Sequence, residues 1–342
     1  MDEVERRHLE RTLAGAEAAL VRFGTVTQHK SRWRIAATLC TKGVTLVQLG
    51  RYEEGLAVCS EVLARYGTAD EAPTRALLAG ALRYRRAALA GLGRTEDEVA
   101  ACDETVARFG EATDPILRDQ AAAALVDKGD LLAAAGQEAG AATAWRQALQ
   151  RYRSAGDATP ELGPALEHAR RRLAALPVDL RPCRPDDEEA AAALIIRAFE
   201  EFRPEISQQF WERFVAGAHQ QATRPRGTEL VVAEQAGTLL GAVTYCPAGG
   251  RYGGASWPAV WSAIRLLGVD PSARGLGVGR LLAAWCVARA RELGDEAIGL
   301  HTSGFMIPAR RIYEALGFER WPDLDVTPEG APPALAYRLL LA

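Results

Sequence analysis

The run Arg274-Gly275-Leu276-Gly277-Val278-Gly279 decides the fold of the C-terminal half of the chain. The apolar residues 264–269 before it predict a strand, which ends at the turn Asp270-Pro271. The residues after it predict an amphipathic helix, whose apolar stripe consists of Leu281, Trp285 and Ala288. A strand, a glycine-rich turn and a helix in this order predict a site for an anion.

The predicted turn suits a diphosphate group. Its glycines let the backbone approach a ligand closely, and the free N–H groups of the first helical turn point at negative charge. The dinucleotide-binding pattern would need a glycine at position 280, where Arg280 stands. The P-loop would need a Gly-Lys-Ser/Thr ending, which this run does not have. The alternative is a loop whose glycines serve only a tight turn.

The spacing of Arg274, Gly277 and Gly279 resembles Arg-x-x-Gly-x-Gly, the acetyl-CoA signature of the GNAT family of N-acetyltransferases. Residues 310–318 resemble the closing helix of that family and its Leu-Gly-Phe end. A helix is predicted over 186–202, residues 235–237 predict a hairpin turn, and strands are predicted over 178–181, 229–233, 239–245 and 297–300. The resemblance covers residues 177–342. It implies an α+β acyl-CoA acyltransferase domain with a central mixed, mostly antiparallel sheet.

The resemblance implies transfer of an acetyl group from acetyl-CoA, as co-substrate, to an amine by direct attack on the thioester. It implies no metal and no covalent enzyme intermediate. The diphosphate is expected on the backbone amides of Arg274, Gly275, Leu276, Gly277, Val278, Gly279 and Arg280. In this family the preceding strand also pairs with the pantetheine arm, and Leu267, Gly268 and Val269 would serve here through their backbone.

Tyr313 matches the general acid of the family, which protonates the departing thiolate. A phenol with a pKa near 10 can protonate a thiolate whose conjugate acid has a pKa near 8.5 at a cost of about 2 kcal/mol. The alternative is a tyrosine that only packs on its own helix.

The general base is the least defined part of the resemblance. Many small members carry a glutamate just before the strand at 264–269, where this chain has Ser262-Ala263. His301, expected just past the strand at 297–300, is a candidate base, as are Glu200 and Glu201. At pH 7, deprotonating a lysine-like amine costs about 4.6 kcal/mol, whereas an α-amine costs about 1.4 kcal/mol. We therefore expect water or His301 to remove the proton, and an amine of low pKa to be the easier acceptor.

The loop at 246–262 is rich in glycine and holds Trp257 and Trp261. In the GNAT family the corresponding connection borders the acceptor side. A mobile lid with aromatic anchors is therefore one interpretation, and a connection whose tryptophans fill a small core is the other.

The N-terminal half is a repeat array. Three tripeptides recur at a spacing of 43 residues: Arg22-Phe23-Gly24, Arg65-Tyr66-Gly67 and Arg108-Phe109-Gly110. Leu49-Gly50-Arg51 and Leu92-Gly93-Arg94 keep the same period. Each unit predicts two helices joined by a turn, which suits an α-solenoid and resembles tetratricopeptide-like (TPR-like) repeats, although those have 34 residues. The recurring aromatics could line a groove, but packing is the favoured interpretation.

Composition sets the remaining limits. The 342 residues are enough for two domains, expected at 1–176 and 177–342. A net charge of −3 gives no reason to expect nucleic acid or a membrane as partner. The six cysteines form no metal-binding pattern. Neither a signal peptide nor a long apolar run is recognised, which predicts a cytoplasmic protein.

Three accounts of the whole chain remain open from the sequence. In the first, an N-acetyltransferase uses its repeat domain to recruit the acceptor or a protein partner, or to self-associate. In the second, the C-terminal domain binds acetyl-CoA as a sensor without catalysis. In the third, the repeat domain has a role unrelated to the chemistry.

Overall fold

A computed structural model describes residues 2–23, 29–67, 72–153, 162–220, 227–249 and 257–341. The chain divides into two compact units, Met1–Leu173 and Ala174–Ala342. Within the described ranges, none of the helices combines the length and the apolarity that crossing a membrane requires.

The first unit is helical throughout its described part. Its helices are α1 (Glu3–Phe23), α2 (His29–Gln48), α3 (Tyr52–Tyr66), α4 (Ala72–Gly91), α5 (Thr95–Phe109), α6 (Pro115–Ala134), α7 (Glu138–Arg153) and α8 (Gly163–Ala175). The starts of α2, α4 and α6 are spaced by the same 43 residues that separate the sequence repeats, and so are those of α3, α5 and α7. In addition to neighbours along the chain, α2 packs on α4 and α4 packs on α6.

The recurring glycines and arginines have defined roles in these helical pairs. Gly50 and Gly93 follow the first helix of their pairs with φ of +77° and +68°, a conformation that favours glycine. The Arg108 guanidinium donates a 2.8 Å hydrogen bond to the Gly67 carbonyl, and Arg151 donates to the Gly110 carbonyl. Each arginine therefore satisfies a carbonyl at the end of a helix one repeat earlier.

The recurring aromatic residues pack between helices. Tyr66 and Phe109 are buried in one cluster with Leu39 and Leu82, and Tyr152 is half-buried. The Phe23 side chain lies outside the described residues. The packing interpretation of the described aromatics is confirmed.

The second unit contains a seven-stranded sheet in the order β1-β2-β3-β4-β5-β7-β6. Its strands are β1 (Asp179–Pro182), β2 (Glu229–Gln235), β3 (Thr238–Cys246), β4 (Trp261–Val269), β5 (Ala297–Ser303), β6 (Glu319–Arg320) and β7 (Ala334–Leu340). The pair β4–β5 is parallel and the other pairs are antiparallel. The prediction of a mixed, mostly antiparallel sheet is confirmed.

The turn between β2 and β3 follows from local chemistry. Ala236 and Gly237 both have positive φ, +49° and +74°, and Gln235 pairs with Thr238 across them. Two such residues form the turn whose twist matches an antiparallel hairpin. The predicted hairpin is confirmed.

Helices cover both faces of the sheet. These helices are α9 (Glu188–Phe199), α10 (Gln208–Gln220), α11 (Val278–Leu293) and α12 (Ile307–Ala315). Along β2, Val231 packs into the core that includes α11, and its neighbour Val232 packs into the core that includes α9. This alternation is the strand period of two.

The predicted apolar stripe of α11 is wrong by one residue. Leu281 is 42% exposed, whereas Leu282 and Cys286 are fully buried against the sheet. Both stripes contain apolar residues, and helical periodicity alone could not select the one that the sheet covers.

Candidate active site

The glycine-rich turn joins β4 to α11 through two left-handed residues. Gly275 and Gly277 have φ of +83° and +80°, and Gly277 is the residue directly before the helix. Gly279 lies in the first turn of α11, where an added Cβ would stand 3.2 Å from Ile312 Cδ1. The first two glycines therefore allow the left-handed backbone conformation of the turn, and the third allows α11 to pack closely against α12.

The N–H groups of this turn are available to a ligand. Within the described part of the chain, five of them donate no hydrogen bond: those of Gly275, Gly277, Val278, Gly279 and Arg280. They stand at the N-terminus of a 16-residue helix, where the partial positive charge of the helix dipole adds to them. Unbonded amides in this arrangement form an anion site.

The Arg274 side chain is already engaged. Its guanidinium donates to the Ala198 carbonyl over 2.9 Å and forms a 2.5 Å ion pair with Glu201. Arg274 therefore ties the turn to the end of α9. Glu201 is neutralised by that pair and Glu200 is exposed, so neither glutamate has the position of a base in a cavity. The Arg280 side chain is exposed.

The parallel strands β4 and β5 separate beside the turn. Their last register pair is Ile264 with Leu300, and beyond it β4 continues to Val269 paired only with β3. On that side, no described strand pairs with Leu267, Gly268 or Val269. Such an open backbone edge can hydrogen-bond an extended ligand arm as an added strand would.

A β-bulge precedes this open edge. Ala242 pairs with Gly268 and Thr244 pairs with Arg265, so β4 has one residue more than β3 between these pairs. Leu266 within the bulge has φ of +47°, a conformation that costs a non-glycine residue about 1–2 kcal/mol. Bulges of this kind re-aim side chains next to active sites.

A cavity of about 300 Å³ lies where the two strands separate, and both predicted catalytic residues line it. Tyr313 is 6% exposed, and its hydroxyl forms no hydrogen bond with a described residue. Burial raises the pKa of its phenol well above the ordinary value, so the hydroxyl stays protonated. The hydroxyl is therefore protonated and uncharged at neutral pH.

His301 lies within β5, and the prediction that placed it just past that strand is wrong. Its Nε2 lies 2.8 Å from the Leu324 carbonyl oxygen, which can only accept, so Nε2 carries the hydrogen and Nδ1 the lone pair. Burial, assisted by the charge of Arg265, lowers the pKa of the imidazole below its ordinary value, and the Leu324 bond and Asp325 oppose this shift only in part. The imidazole is neutral at pH 7.

Three features of the cavity were not predicted from the sequence. They are Arg265, the bulge at Leu266, and an aromatic wall made of Phe199, Phe202, Phe210, Trp211, Phe214 and Phe305. The unusual density of aromatic residues between 199 and 214 was a usable signal for that wall. Neither Arg265 nor Leu266 belongs to a sequence pattern that would have predicted its place in the cavity wall.

The two tryptophans of the loop at 246–262 make defined contacts. Trp257 packs with Cys246 and Ala263 in a small apolar cluster, and its ring lies 4.7 Å from that of His301. Trp261 stacks on Trp257 at 6.2 Å. These contacts favour the small-core interpretation, and residues 250–256, which would form most of a lid, lie outside the described residues.

A glycine turn with free amides beside an open strand edge defines a domain that can bind a phosphate-bearing ligand with an extended arm. Residues 189–318 match the acetyltransferase (GNAT) family. The chain is 30% identical over 135 residues to an uncharacterized N-acetyltransferase of Schizosaccharomyces pombe, covering 40% of this chain and 78% of that protein. The chain belongs to the GNAT acetyltransferase family.

Further relatives are known for the same region. Mycothiol acetyltransferase of Thermobispora bispora is 35% identical over 145 residues, which cover 42% of this chain and 47% of that protein. The chain thus spans about half the length or less of the mycothiol acetyltransferases that it matches. The PaiA N-acetyltransferase of Thermoplasma acidophilum, solved with coenzyme A, is 12% identical with a TM-score of 0.39, covering 48% of this chain and 99% of that one. Among the described residues, no group of three or more His, Cys, Asp or Glu could hold a metal ion.

Proposed function

We propose that this protein is an N-acetyltransferase that moves the acetyl group of acetyl-CoA to an amine by direct attack. One observation carries the proposal. The five unbonded amides between Gly275 and Arg280 lie at one end of the open edge of β4, and a cavity lined by Tyr313 and His301 lies at the other. A ligand that carries both a diphosphate and an extended arm fits this arrangement.

Each part of the coenzyme has an assigned partner. The diphosphate binds the five free backbone amides, because the N–H groups of Arg274 and Leu276 already donate to the Pro271 and Ala273 carbonyls. The exposed Arg280 side chain adds positive charge. The Arg274 guanidinium stays with Glu201 and the Ala198 carbonyl, so Arg274 holds the turn in place and does not itself bind the diphosphate. The pantetheine arm pairs with Leu267–Val269, so that the thioester reaches the cavity.

The transfer follows from the two cavity residues. The neutral amine attacks the acetyl carbonyl, a C–N bond forms, and the C–S bond breaks. The sulfur leaves with the electron pair and takes the proton of the Tyr313 hydroxyl. Because burial raises the pKa of this phenol, the proton transfer costs more than the roughly 2 kcal/mol of an unperturbed tyrosine.

The proton of the attacking nitrogen goes to Nδ1 of His301 or to water. The neutral imidazole has its Nε2 hydrogen engaged with Leu324, which leaves Nδ1 as the acceptor. A base with a lowered pKa removes protons most easily from a weakly basic amine. An α-amine is therefore the favoured acceptor over a lysine-like amine.

The proposal is tested by two measurements on the purified full-length protein. Calorimetry with acetyl-CoA measures binding, and release of the free thiol in the presence of an amine panel measures transfer. We expect saturable binding and turnover with at least one amine. Binding without turnover on any amine would favour the sensor account, and the absence of binding would exclude both accounts.

We propose that residues 1–176 form a TPR-like α-solenoid for protein interaction, self-association or recruitment of the acceptor, and that residues 177–342 are the acetyltransferase domain. The 43-residue spacing of the helix pairs and the packing of α2, α4 and α6 support the solenoid. Light scattering of the full chain and of residues 177–342 tests self-association. Equal kcat/KM in the two proteins would show that the helices are dispensable for the chemistry.

A further inference from the structure

Arg265 is a positively charged side chain in the wall of the cavity. It follows Ile264, the last residue of β4 that pairs with β5, and it lines the cavity beside the bulge at Leu266. Within the described residues, its guanidinium forms no ion pair and no hydrogen bond. A half-buried guanidinium keeps most of its hydrogen-bonding capacity for a ligand, and a carboxylate matches its two-pronged geometry.

The opposite wall of the cavity is apolar and aromatic. Phe199 and Phe214 have ring centroids 4.9 Å apart, and Phe202 and Phe305 have centroids 5.2 Å apart. These rings come from α9, α10 and the segments that follow α9 and β5, and their packing fixes the shape of the wall. Such a wall favours an apolar group, and an aromatic ring above others, because ring pairs add about 0.5–1.5 kcal/mol to burial.

The charge of the cavity discriminates among amines. No described aspartate or glutamate lines it, and His301 is neutral, so Arg265 gives the lining a net positive charge. A second cationic group on an acceptor would find no partner there. A polyamine is therefore disfavoured, and an amine that carries its own carboxylate is favoured.

We propose that the acceptor is a free α-amino acid with an apolar, preferably aromatic, side chain, whose carboxylate binds Arg265 and whose side chain packs on the aromatic wall. This rests on the proposed function. A cavity of about 300 Å³ is at the lower end of small-molecule sites and suits one amino acid.

The geometry of an α-amino acid explains why Arg265 and His301 occur together. The amine and the carboxylate are bonded to the same carbon, so a carboxylate on Arg265 puts the amine next to the neighbouring strand. His301 is the residue that follows Leu300 on that strand, as Arg265 follows Ile264 on its own. The amine then attacks the acetyl carbonyl while His301 or water takes its proton, giving the N-acetyl amino acid and the free thiol.

The first experiment compares acceptors that differ in one group, by thiol release from acetyl-CoA with the full-length protein. L-phenylalanine is compared with phenethylamine, which lacks the carboxylate, with L-phenylalaninamide, which has a neutral amide instead, and with glycine, which lacks the ring. We expect kcat/KM for phenylalanine to exceed that for either carboxylate-free amine by about 10- to 100-fold, the range of a charge-assisted hydrogen bond. Glycine should be poorer than phenylalanine.

The second experiment changes Arg265 and follows the ratio of kcat/KM for phenylalanine to that for phenethylamine. We expect Arg265→Met to reduce this ratio by about 10- to 100-fold and Arg265→Lys to reduce it less. Arg291→Met is the control, because Arg291 is an exposed residue in the last turn of α11 and its loss changes the net charge equally. It should leave the ratio unchanged.

The outcomes separate the two proposals. Turnover of phenethylamine or phenylalaninamide as efficient as that of phenylalanine would overturn the substrate class and leave the acetyltransferase standing. If the ratio is unchanged in a folded Arg265→Met protein, Arg265 does not bind the carboxylate, and the acetyltransferase proposal still stands. If acetyl-CoA binds and no amine is acetylated, the proposed function fails and the substrate class fails with it.

Discussion

The imidazole Nε2 of His301 donates a hydrogen bond to the carbonyl oxygen of Leu324 across 2.8 Å. This bond fixes the tautomer and leaves Nδ1 unprotonated. Burial lowers the pKa of the same imidazole below its ordinary value near 6.5, so the imidazole is uncharged at neutral pH and its Nδ1 can accept a proton.

The pH dependence of catalysis tests the role of His301. In a His301→Gln variant, the glutamine amide can still donate to Leu324 but cannot accept a proton. We expect kcat/KM of the native protein to exceed that of the variant by about 100-fold at pH 7–8, a usual contribution of a general base. Because protonation removes the base, the ratio should fall toward one as the pH drops below 6.5.

The ratio at each pH isolates the imidazole, because ionisation of the acceptor amine affects both proteins equally. A ratio that stays constant across the pH range would assign proton removal to water. Thermal unfolding of both proteins checks that the variant keeps its fold.

Tyr313→Phe removes the predicted proton donor without removing its ring. We expect kcat to fall by about 100-fold, with an unchanged Kd for acetyl-CoA measured by calorimetry. The unfolding temperature should change little, because the hydroxyl has no partner among the described residues.

Tyr245→Phe is the matched control for Tyr313→Phe. Tyr245 is also buried in the second unit, and its hydroxyl donates a 2.5 Å hydrogen bond to Asp295. Losing that bond should destabilise the protein by about 1–3 kcal/mol and leave kcat unchanged. Equal losses of kcat in both variants would mean that Tyr313 acts only through packing.

Gly277→Ala tests whether the turn holds the coenzyme. Gly277 and Gly294 are left-handed residues at the two ends of α11, with φ of +80° and +75°, and neither would bring a Cβ within 4 Å of another atom. Both alanine variants should therefore lose about 1 kcal/mol of stability through the backbone alone. Only Gly277→Ala should weaken acetyl-CoA binding, by about tenfold or 1.4 kcal/mol. Equal Kd values in the two variants would argue against binding at this turn.

Arg108→Met tests the hydrogen bond that connects successive helical repeats. It removes the hydrogen bond to the Gly67 carbonyl, at an expected cost of about 1.5 kcal/mol. Calorimetry should show a lower Tm for the helical unit, by about 2–4 °C for each kcal/mol in a unit of this size. In contrast, Arg94→Met loses an exposed pair with Asp97 and should cost less than about 0.5 kcal/mol.

Much of the fold was predictable because its signals are local. The hairpin at residues 235–238 and the turn before α11 depend on residues that accept positive φ, and glycine marks them in the sequence. The helical repeats are marked by their period. The predicted buried stripe of α11 is shifted by one residue from the observed one. Leu281 and Leu282 are equally apolar, and only packing against the sheet determines which of them is buried.

The sequence alone determined the glycine turn, the alternation of strands and helices, the 43-residue repeat and the match to the GNAT family, because short-range backbone preferences and periodicity encode them. Only the tertiary structure brought Arg265, His301, Tyr313 and the aromatic wall to one cavity. Their meeting depends on the separation of β4 and β5 and on one extra residue at Leu266. No local preference encodes such a register, since a shift of one residue along a strand turns every side chain to the other face.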